Sequence, residues 1–536
     1  KPAADGTNET VGAWHRIQAG ASPRSYRLSR NVASENNFIS LSLDGSYNRT
    51  YNWNVEVDNA DQDYPLPINV TSQGATDIDK SRDVRLLAVS GGLVYRIGPE
   101  AGDVDEVLGQ TDGPQLSVVR PRVFSAVSYP NIYFADGEAN RYYDSATDEL
   151  KTWEGISGGG SSAIPSSGGT YCRLICEWGA RIVLSGLELE PQAWFMSAVN
   201  DPENFNYAEG FETSAVAGST LISAASPAGE TPDIINALVP WTNDVLLFGM
   251  DHSIAALSGN PAGGGRIDSV TQITGMAFGR PYAFHPDRSL WFVGSRGGLY
   301  RMSGPTASPE RISATTVDDR LTDIDFSSTI VRMAWDDRLQ GFLIFFASLE
   351  GGSIDQHYFY DIRTKGWFPW SFATPAHSPL VLHTFDGDKP DDRTILYGCP
   401  DGRIRQIDYE SANDDNPRDE NDDSDPVAIQ SHVFIGPIRN PDGVPVVMTG
   451  LTSVLGKNSS SVTYSVHPGD SAEEASRAAS IGGGTFGAGR NTWDRRRTSA
   501  TALYIKLSNV TLDQTWSIER LTASLRITSR TFEKAH

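Results

Sequence analysis

The sequence predicts an all-β protein: a β-propeller of about seven blades plus a smaller C-terminal β-sandwich-like domain. Three observations predict it. Glycine is abundant at 51 residues and aromatics make up 10% of the chain, a composition of turn-rich, strand-rich proteins. Windows of good helix formers at helical spacing are nearly absent, and the candidates, such as "AEEASRAA" at 472–479, are short. A strand–break–strand unit also recurs along the middle of the chain, its breaks roughly 46–64 residues apart.

Taken in order, residues 1–80 are polar and rich in Asn and Asp, with "LPINV" (66–70) held extended by its prolines. They read as an N-terminal arm that contributes to the first blade. The propeller is assigned to 81–409. Its unit is a hairpin, seen in "LLAVSGGLVYRI" (86–97), "IYFADGEANRYYD" (132–144), "LLFGMDHSIAALSG" (246–259), "LWFVGSRGGLYRM" (290–302) and "ILYGCPDGRIRQID" (395–408). "RIVLSGLELEPQAWFMS" (181–197) and "GFLIFFASLEGGSIDQHYFYD" (341–361) fit with longer breaks. The breaks centre near Gly91, Gly137, Leu187, Asp251, Gly297, Gly351 and Asp401. Gly and Asp are suited to them because tight hairpin turns need φ > 0. Paired strands at such a period are the signature of propeller blades.

A second pattern supports blades. "YYDSATDELKTW" (142–153) and "YFYDIRTKGWFPW" (358–370) each run from an aromatic strand through Asp-x-x-Thr to a Trp. Asp144 and Asp361 are expected to accept from the backbone N–H two residues on, closing the turn. Trp153 and Trp367 then return to pack on the sheet. The same spacing occurs in propellers that dock a quinone, but an outer hairpin with a packing Trp accounts for it, and no cofactor is expected.

Residues 410–426, "ESANDDNPRDENDDSDP", form an acidic linker with no apolar anchor. The chain turns β again in 427–536, where "HVFIGPI", "SSVTYSV", "ALYIKLSNV" and "SIERLTASLRITSR" carry strand composition. That length suits one small sandwich-like domain.

Charge and cysteine content bound the function. Lys and Arg number 44 against 67 acids, a net charge of −23. Tight sequence-specific DNA binding requires a cationic surplus or a local basic patch; short of such a patch, the chain fits nucleic acid in a repulsive sense, as the wall of a duct that must not hold its cargo. Cys172, Cys176 and Cys399 give an odd, low count and no disulfide framework; Cys172 and Cys176 read as small core residues. The strongest apolar run, "FLIFFASL" (342–349), has the length of a buried strand, and no membrane insertion is expected.

Catalytic patterns fail on context. Gly155-Ile156-Ser157-Gly158-Gly159 matches G-x-S-x-G, but the following "GSSAIPSSGG" is no helix. Gly482, Gly484 and Gly487 match G-x-G-x-x-G, but "GGGTFGAGRNTW" opens no helix and reads as a loop. No H-E-x-x-H motif and no phosphate-loop Lys occur, and the nine His show no ligand spacing. Paired carboxylates could serve a glycosidase, as some propellers do, yet no arrangement singles out a pair. The chain is expected not to be an enzyme and to hold no metal.

Two charged segments remain. Asp414, Asp415, Asp419, Glu420, Asp422, Asp423 and Asp425 lack the Gly and terminal Glu of an EF-type loop and read as a solvated segment lining a channel or a hinge. Arg495, Arg496 and Arg497, in "WDRRR" (493–497), read either as a charged edge that resists sheet-to-sheet aggregation or as a docking patch for an acidic neighbour.

Four stretches resemble the tail-nozzle family of short-tailed bacteriophages, also called tail hub or packaged-DNA stabilisation proteins. They are "VPWTNDVLLFGMDHSIAALSG" (239–259, with Trp241, Asp244, Phe248, Gly249 and Gly259) and "WGARIVLSGLELEPQAWFMSAVNDPENF" (178–205, with Trp194-Phe195 and Asp201-Pro202). The others are "YAFHPDRSLWFVGSRGGLYRMSGPTASPERIS" (282–313) and "MAWDDRLQGFLIFFASLEGGSIDQHYFYDIRTKGWFPW" (333–370). The order of these blocks, with a β-rich tail after them, is similar to that family over roughly 80–450. The resemblance implies a structural virion protein of the phage tail, assembled in the host cytoplasm. It implies a homohexameric ring below the portal and adaptor rings that extends the DNA channel. The implied partners are further copies of itself, the adaptor, needle, plug, fibre or spike proteins, and genomic double-stranded DNA passing without specific binding. The family has no catalytic site to carry over. Six copies at −23 each would carry −138, a wall that does not retard DNA but needs counterions or basic partners to assemble. Two other readings are a receptor-binding propeller module and a polysaccharide-acting hydrolase.

Overall fold

Short apolar runs separated by glycine- and aspartate-bearing breaks fold into small antiparallel sheets. In a computed structural model of the chain, the described residues run from 86 to 527, apart from 98–103, 111–112, 114, 120–121, 156–162, 208–210, 221–225, 227, 316, 350–356, 373, 386–392, 410–412, 415–425, 441–442 and 496. Before residue 86, five short strand segments are described, forming a sheet of Arg16–Gln18, Ser25–Ser29 and Asp63–Tyr64 and a pair of Phe38–Ile39 with Val55–Glu56. The expected arm at 1–80 otherwise lies outside the described residues. The chain divides into two compact units, 1–85 with 387–392, and 86–386 with 393–536.

Within the second unit, seven sheets follow one another along the chain, each an up-and-down meander. The first has Leu86–Ser90, Leu93–Ile97 and Val104–Glu106; the second has Phe124–Ser128, Asn131–Ala135, Asn140–Asp144 and Glu149–Thr152. The third has Leu174–Trp178, Arg181–Ser185, Trp194–Met196 and Val216–Gly218. The fourth has Ile235–Thr242, Val245–Met250, Ile254–Ser258 and Arg266–Thr271. The fifth has Tyr282–Phe284, Leu290–Val293, Leu299–Met302 and Glu310–Arg311. The sixth has Thr329–Asp336, Gly341–Ser348, His357–Asp361 and Gly366–Trp370, and the seventh Val381–Phe385, Thr394–Gly398 and Ile404–Gln406. The chain is all-β: among the described residues the α-helices are the short Asp318–Thr322 and Ala472–Arg477.

The sequence breaks fall at equivalent places. In the second to fifth and the seventh sheets, Gly137, Leu187, Asp251, Gly297 and Asp401 lie between the second and third strands; Gly351 lies outside the described residues. Gly297 has φ 82°, and a Cβ there would collide with the Leu321 carbonyl, so both the turn and the close approach require glycine. The aspartate turns close as expected: Ala146 N–H donates to Asp144 Oδ1 at 2.9 Å and Arg363 N–H to Asp361 Oδ1 at 2.8 Å. A Lys151 hydrogen bond, foremost, holds the Asp144 carboxyl below its ordinary value.

Each sheet packs on the next through shared apolar clusters. Val94 and Val107 of the first segment meet Phe134, Tyr143 and Leu150 of the second. Tyr133, Ile182, Trp194 and Phe248 belong to one cluster spanning the second to fourth sheets. Leu247 and Phe292 join the fourth to the fifth, Trp291 and Phe342 the fifth to the sixth, and Phe345 and Ile395 the sixth to the seventh. The "FLIFFASL" run is buried along Gly341–Ala347, because its strand is covered on both faces.

First strands lie beside first strands. Leu174–Trp178 touches both Phe124–Ser128 and Ile235–Thr242; Thr329–Asp336 touches Tyr282–Phe284 and Val381–Phe385. Ahead of the fifth sheet, Gly279–Arg280 pairs in parallel with Val331 and Arg332 of the sixth.

After residue 426, two sheets face each other across one core. Ser431–Arg439, Ala502–Asn509, Val462–Gly469 and Gly482–Phe486 form one sheet. In the other, Val446–Leu455 is flanked by Ile518–Ile527 on one side and by Arg490–Asp494 and Thr498–Ala500 on the other. Met448 and Leu451 from one sheet pack against Tyr464, Ile505 and Leu507 from the other. The helix Ala472–Arg477 is capped by Ser471, whose side chain accepts from Glu474 N–H.

One reading is corrected here. Gly482–Phe486 is a strand, not a loop, paired with Val462–Val466. Its glycines allow close packing: a Cβ on Gly483 would meet the Tyr464 carbonyl, and one on Gly484 would sit 2.8 Å from the Tyr464 ring. Phe486 then stacks on that ring with centroids 4.5 Å apart.

Candidate functional site

Of the charged residues singled out from sequence, Asp414, Arg495 and Arg497 are among the described residues. Asp414 belongs to the two-residue strand Asn413–Asp414, paired with Val427–Ala428. Asp415, Asp419, Glu420, Asp422, Asp423 and Asp425 lie outside the described residues. Arg495 and Arg497 are exposed where the chain turns from Arg490–Asp494 to Thr498–Ala500; Arg496 lies outside the described residues.

Trp153 and the three cysteines are engaged in packing. Trp153 is buried against Tyr133 at 4.8 Å, and its Nε1–H donates to the Pro202 carbonyl at 3.2 Å. Cys172, Cys176 and Cys399 are buried and form no disulfide with one another, and burial pushes the Cys176 thiol up to about 12. Of the G-x-S-x-G match, 156–159 lie outside the described residues. Among the described residues, no three His, Cys, Asp or Glu come together in a way that could hold a metal ion.

The structure assembles a different group, which sequence reasoning missed. A cavity of about 150 Å³ is lined by Arg122, Asp136, Arg173, Phe278, Phe326, Ser327, Ile330 and Leu349. These residues come from the second, third and sixth sheets and from the approach to the fifth. Arg122 stands two residues ahead of Phe124–Ser128, and Arg173 one residue ahead of Leu174–Trp178. The Arg173 stem lies over Gly137, whose φ is 84° and whose missing Cβ would be 3.0 Å from Arg173 Cγ.

Asp136 is buried, and its carboxylate is already engaged. It accepts from Ser117 N–H at 2.7 Å and from Glu138 and Ala139 N–H at 2.8 Å each. Arg122 reaches Glu138 at 3.9 Å across a partly exposed surface, a weak pairing. No carboxylate among the described residues pairs with Arg173.

Behind the cavity, Phe278 meets Phe124 edge-on at 5.9 Å, and the Arg332 guanidinium lies 4.8 Å from the Phe124 ring centroid. Gly279 makes room for that ring: a Cβ there would be 2.8 Å from Phe124 Cζ. Arg280 donates to the Ser125 carbonyl. Burial, with repulsion from Arg280, brings the Arg332 guanidinium down to about 9.

A signal for this grouping was present. Arginine recurs just before or within a first strand in "RPRVFSAV", "YCRLICEW", "GRPYAF" and "TIVRMAWD". Only the side-by-side packing of those strands turns four distant positions into one cationic region.

No protein-family profile and no curated protein matches the chain. Among solved structures, it is similar to the extracellular domain of the putative one-component system BT4673 from B. thetaiotaomicron, at 11% identity and a TM-score of 0.39. That match covers 82% of this chain, which spans about half (55%) of that one. A chain of the mitotic checkpoint complex is similar at 12% identity and a TM-score of 0.35, over 60% of this chain and 89% of that one.

Proposed function

We propose that the chain is a structural subunit of a phage tail, a nozzle protein whose seven successive sheets form the blades of a β-propeller and whose copies close into a ring around passing DNA. The observation that carries the propeller is the succession of meanders with first strands side by side. The three strands of the first sheet correspond to the second to fourth strands of the others, which puts the Gly91 turn at the common break. The ordered blocks at 178–205, 239–259, 282–313 and 333–370 support the tail reading, and the net charge of −23 supports a wall that DNA slides past.

Under this reading the duct lies between copies rather than within one. Phe124, Phe278 and Arg332 occupy the space where the first strands meet. Identical copies joined head to tail through heterologous surfaces close into a ring when the rotation closes, here a hexamer. The adaptor above, and needle, plug, fibre or spike proteins below, are the partners, and the virion is the location.

Sedimentation and negative-stain averages of the full chain, alone and with tail adaptor, test the reading. The expected result is a ring whose lumen passes a duplex. A monomer under both conditions, at concentrations that saturate the adaptor, refutes it.

A further inference from the structure

We propose that the cavity under Arg122 and Arg173 is a binding site for a carboxylate carried on a short apolar stem. This goes beyond the nozzle reading and does not depend on it. Two guanidinium groups sit at the cavity, and Arg173 has no carboxylate partner among the described residues. The one acid in the lining, Asp136, has both oxygens committed to three backbone N–H groups. Arg280 and Arg332 add positive charge behind it, in a chain that is otherwise strongly acidic. An anion entering here neutralises cations already held close together, whereas a cation or a neutral ligand does not.

The remaining lining sets the ligand's other half. Phe278, Phe326, Ile330 and Leu349 are apolar, and Ser327 supplies one hydroxyl. A fully hydrated dianion such as phosphate would lose water against four hydrocarbon surfaces without replacement donors. A carboxylate on two or three methylenes satisfies both halves, its head on the planar guanidinium groups and its stem on the aromatic and aliphatic wall. The volume, about five waters' worth at roughly 30 Å³ each, admits such a group and little more. The site is built rather than incidental, because the Gly137 turn positions the Arg173 stem and the Gly279 backbone admits the Phe124 ring that backs Phe278. Two sources present this chemistry: a free short-chain carboxylic acid and a glutamate side chain of a partner.

Calorimetric titration of the full chain with butyrate, with a capped Gly-Glu-Gly peptide and with inorganic phosphate tests the proposal. Saturable binding of butyrate or the peptide is expected, with phosphate weaker by about tenfold or more. The stronger of the first two identifies the source. Arg173→Gln should weaken binding by about tenfold, and Arg122→Gln should do so to a lesser degree. Ser327→Leu, which fills the cavity without touching its charge, should abolish binding, with far-UV circular dichroism confirming that each variant is folded. Absence of binding by all three ligands, equal binding of phosphate, or unchanged butyrate affinity in folded Arg173→Gln overturns the proposal.

Discussion

His357 turns the burial of the sixth sheet into a measurable pH dependence. Its side chain is fully buried, with Phe345 and Phe372 rings at 5.1 and 5.5 Å. Phe346 N–H donates to Nδ1 at 3.1 Å, so the ring proton sits on Nε2, which faces Ser378 Oγ at 3.0 Å. Both ring nitrogens are thereby satisfied in the neutral form, and burial brings the imidazole down from 6.5 to about 4. The unfolded chain takes up a proton below pH 6.5, while the folded chain resists doing so until about pH 4. The unfolded state therefore binds more protons across that window, and stability falls as pH falls through it. At 1.36 kcal/mol per unit, the loss is about 3 kcal/mol between pH 7 and 4. His357→Gln keeps a neutral polar side chain and removes the titration. Urea unfolding of both proteins, followed by near-ultraviolet signals of the tryptophans in Gly366–Trp370, should show the difference in stability shrinking by about 3 kcal/mol from pH 7 to pH 4. Groups common to both proteins cancel in that difference. A difference that stays flat, or an imidazole carbon resonance of His357 titrating near 6.5, refutes the reasoning.

Substitutions at two further positions test packing between sheets and within one. Gly279→Ala adds a Cβ at φ 97° against the Phe124 ring, and should cost about 2–4 kcal/mol in urea unfolding; a midpoint equal to the parent's would show that the ring yields freely. Arg181 is buried with no carboxylate partner among the described residues, its guanidinium donating to the carbonyls of Ser197 at 2.8 Å, Ser214 at 2.5 Å and Glu212 at 2.7 Å. Arg181→Met strands those acceptors and should cost about 2–3 kcal/mol, with Arg181→Lys recovering part of it; equal stability of the Met variant would refute the bridging role.

The sequence by itself determined the strands and their punctuation. Gly137 and Gly297 mark turns that need φ > 0, Asp144 and Asp361 close their own loops, and Gly341–Ala347 is buried as its apolar run requires. These are local consequences, settled within a few residues by backbone sterics and side-chain hydrogen bonding. Gly482–Phe486 escaped because its glycines have no strand propensity of their own; the Tyr464 ring and carbonyl on the neighbouring strand make that path a strand. Arg181 gave no sign of binding three carbonyls at the two ends of the long connection from Trp194–Met196 to Val216–Gly218. Of the cavity, the sequence showed no more than arginines recurring at first strands, since Arg122, Asp136, Arg173, Phe278 and Ser327 are far apart along the chain. Only the tertiary structure decided that their strands lie side by side, because adjacency between sheets depends on which apolar faces bury one another, and strands such as Arg181–Ser185, Leu290–Val293 and His357–Asp361 are buried along their whole length and carry no pattern that singles out a neighbour.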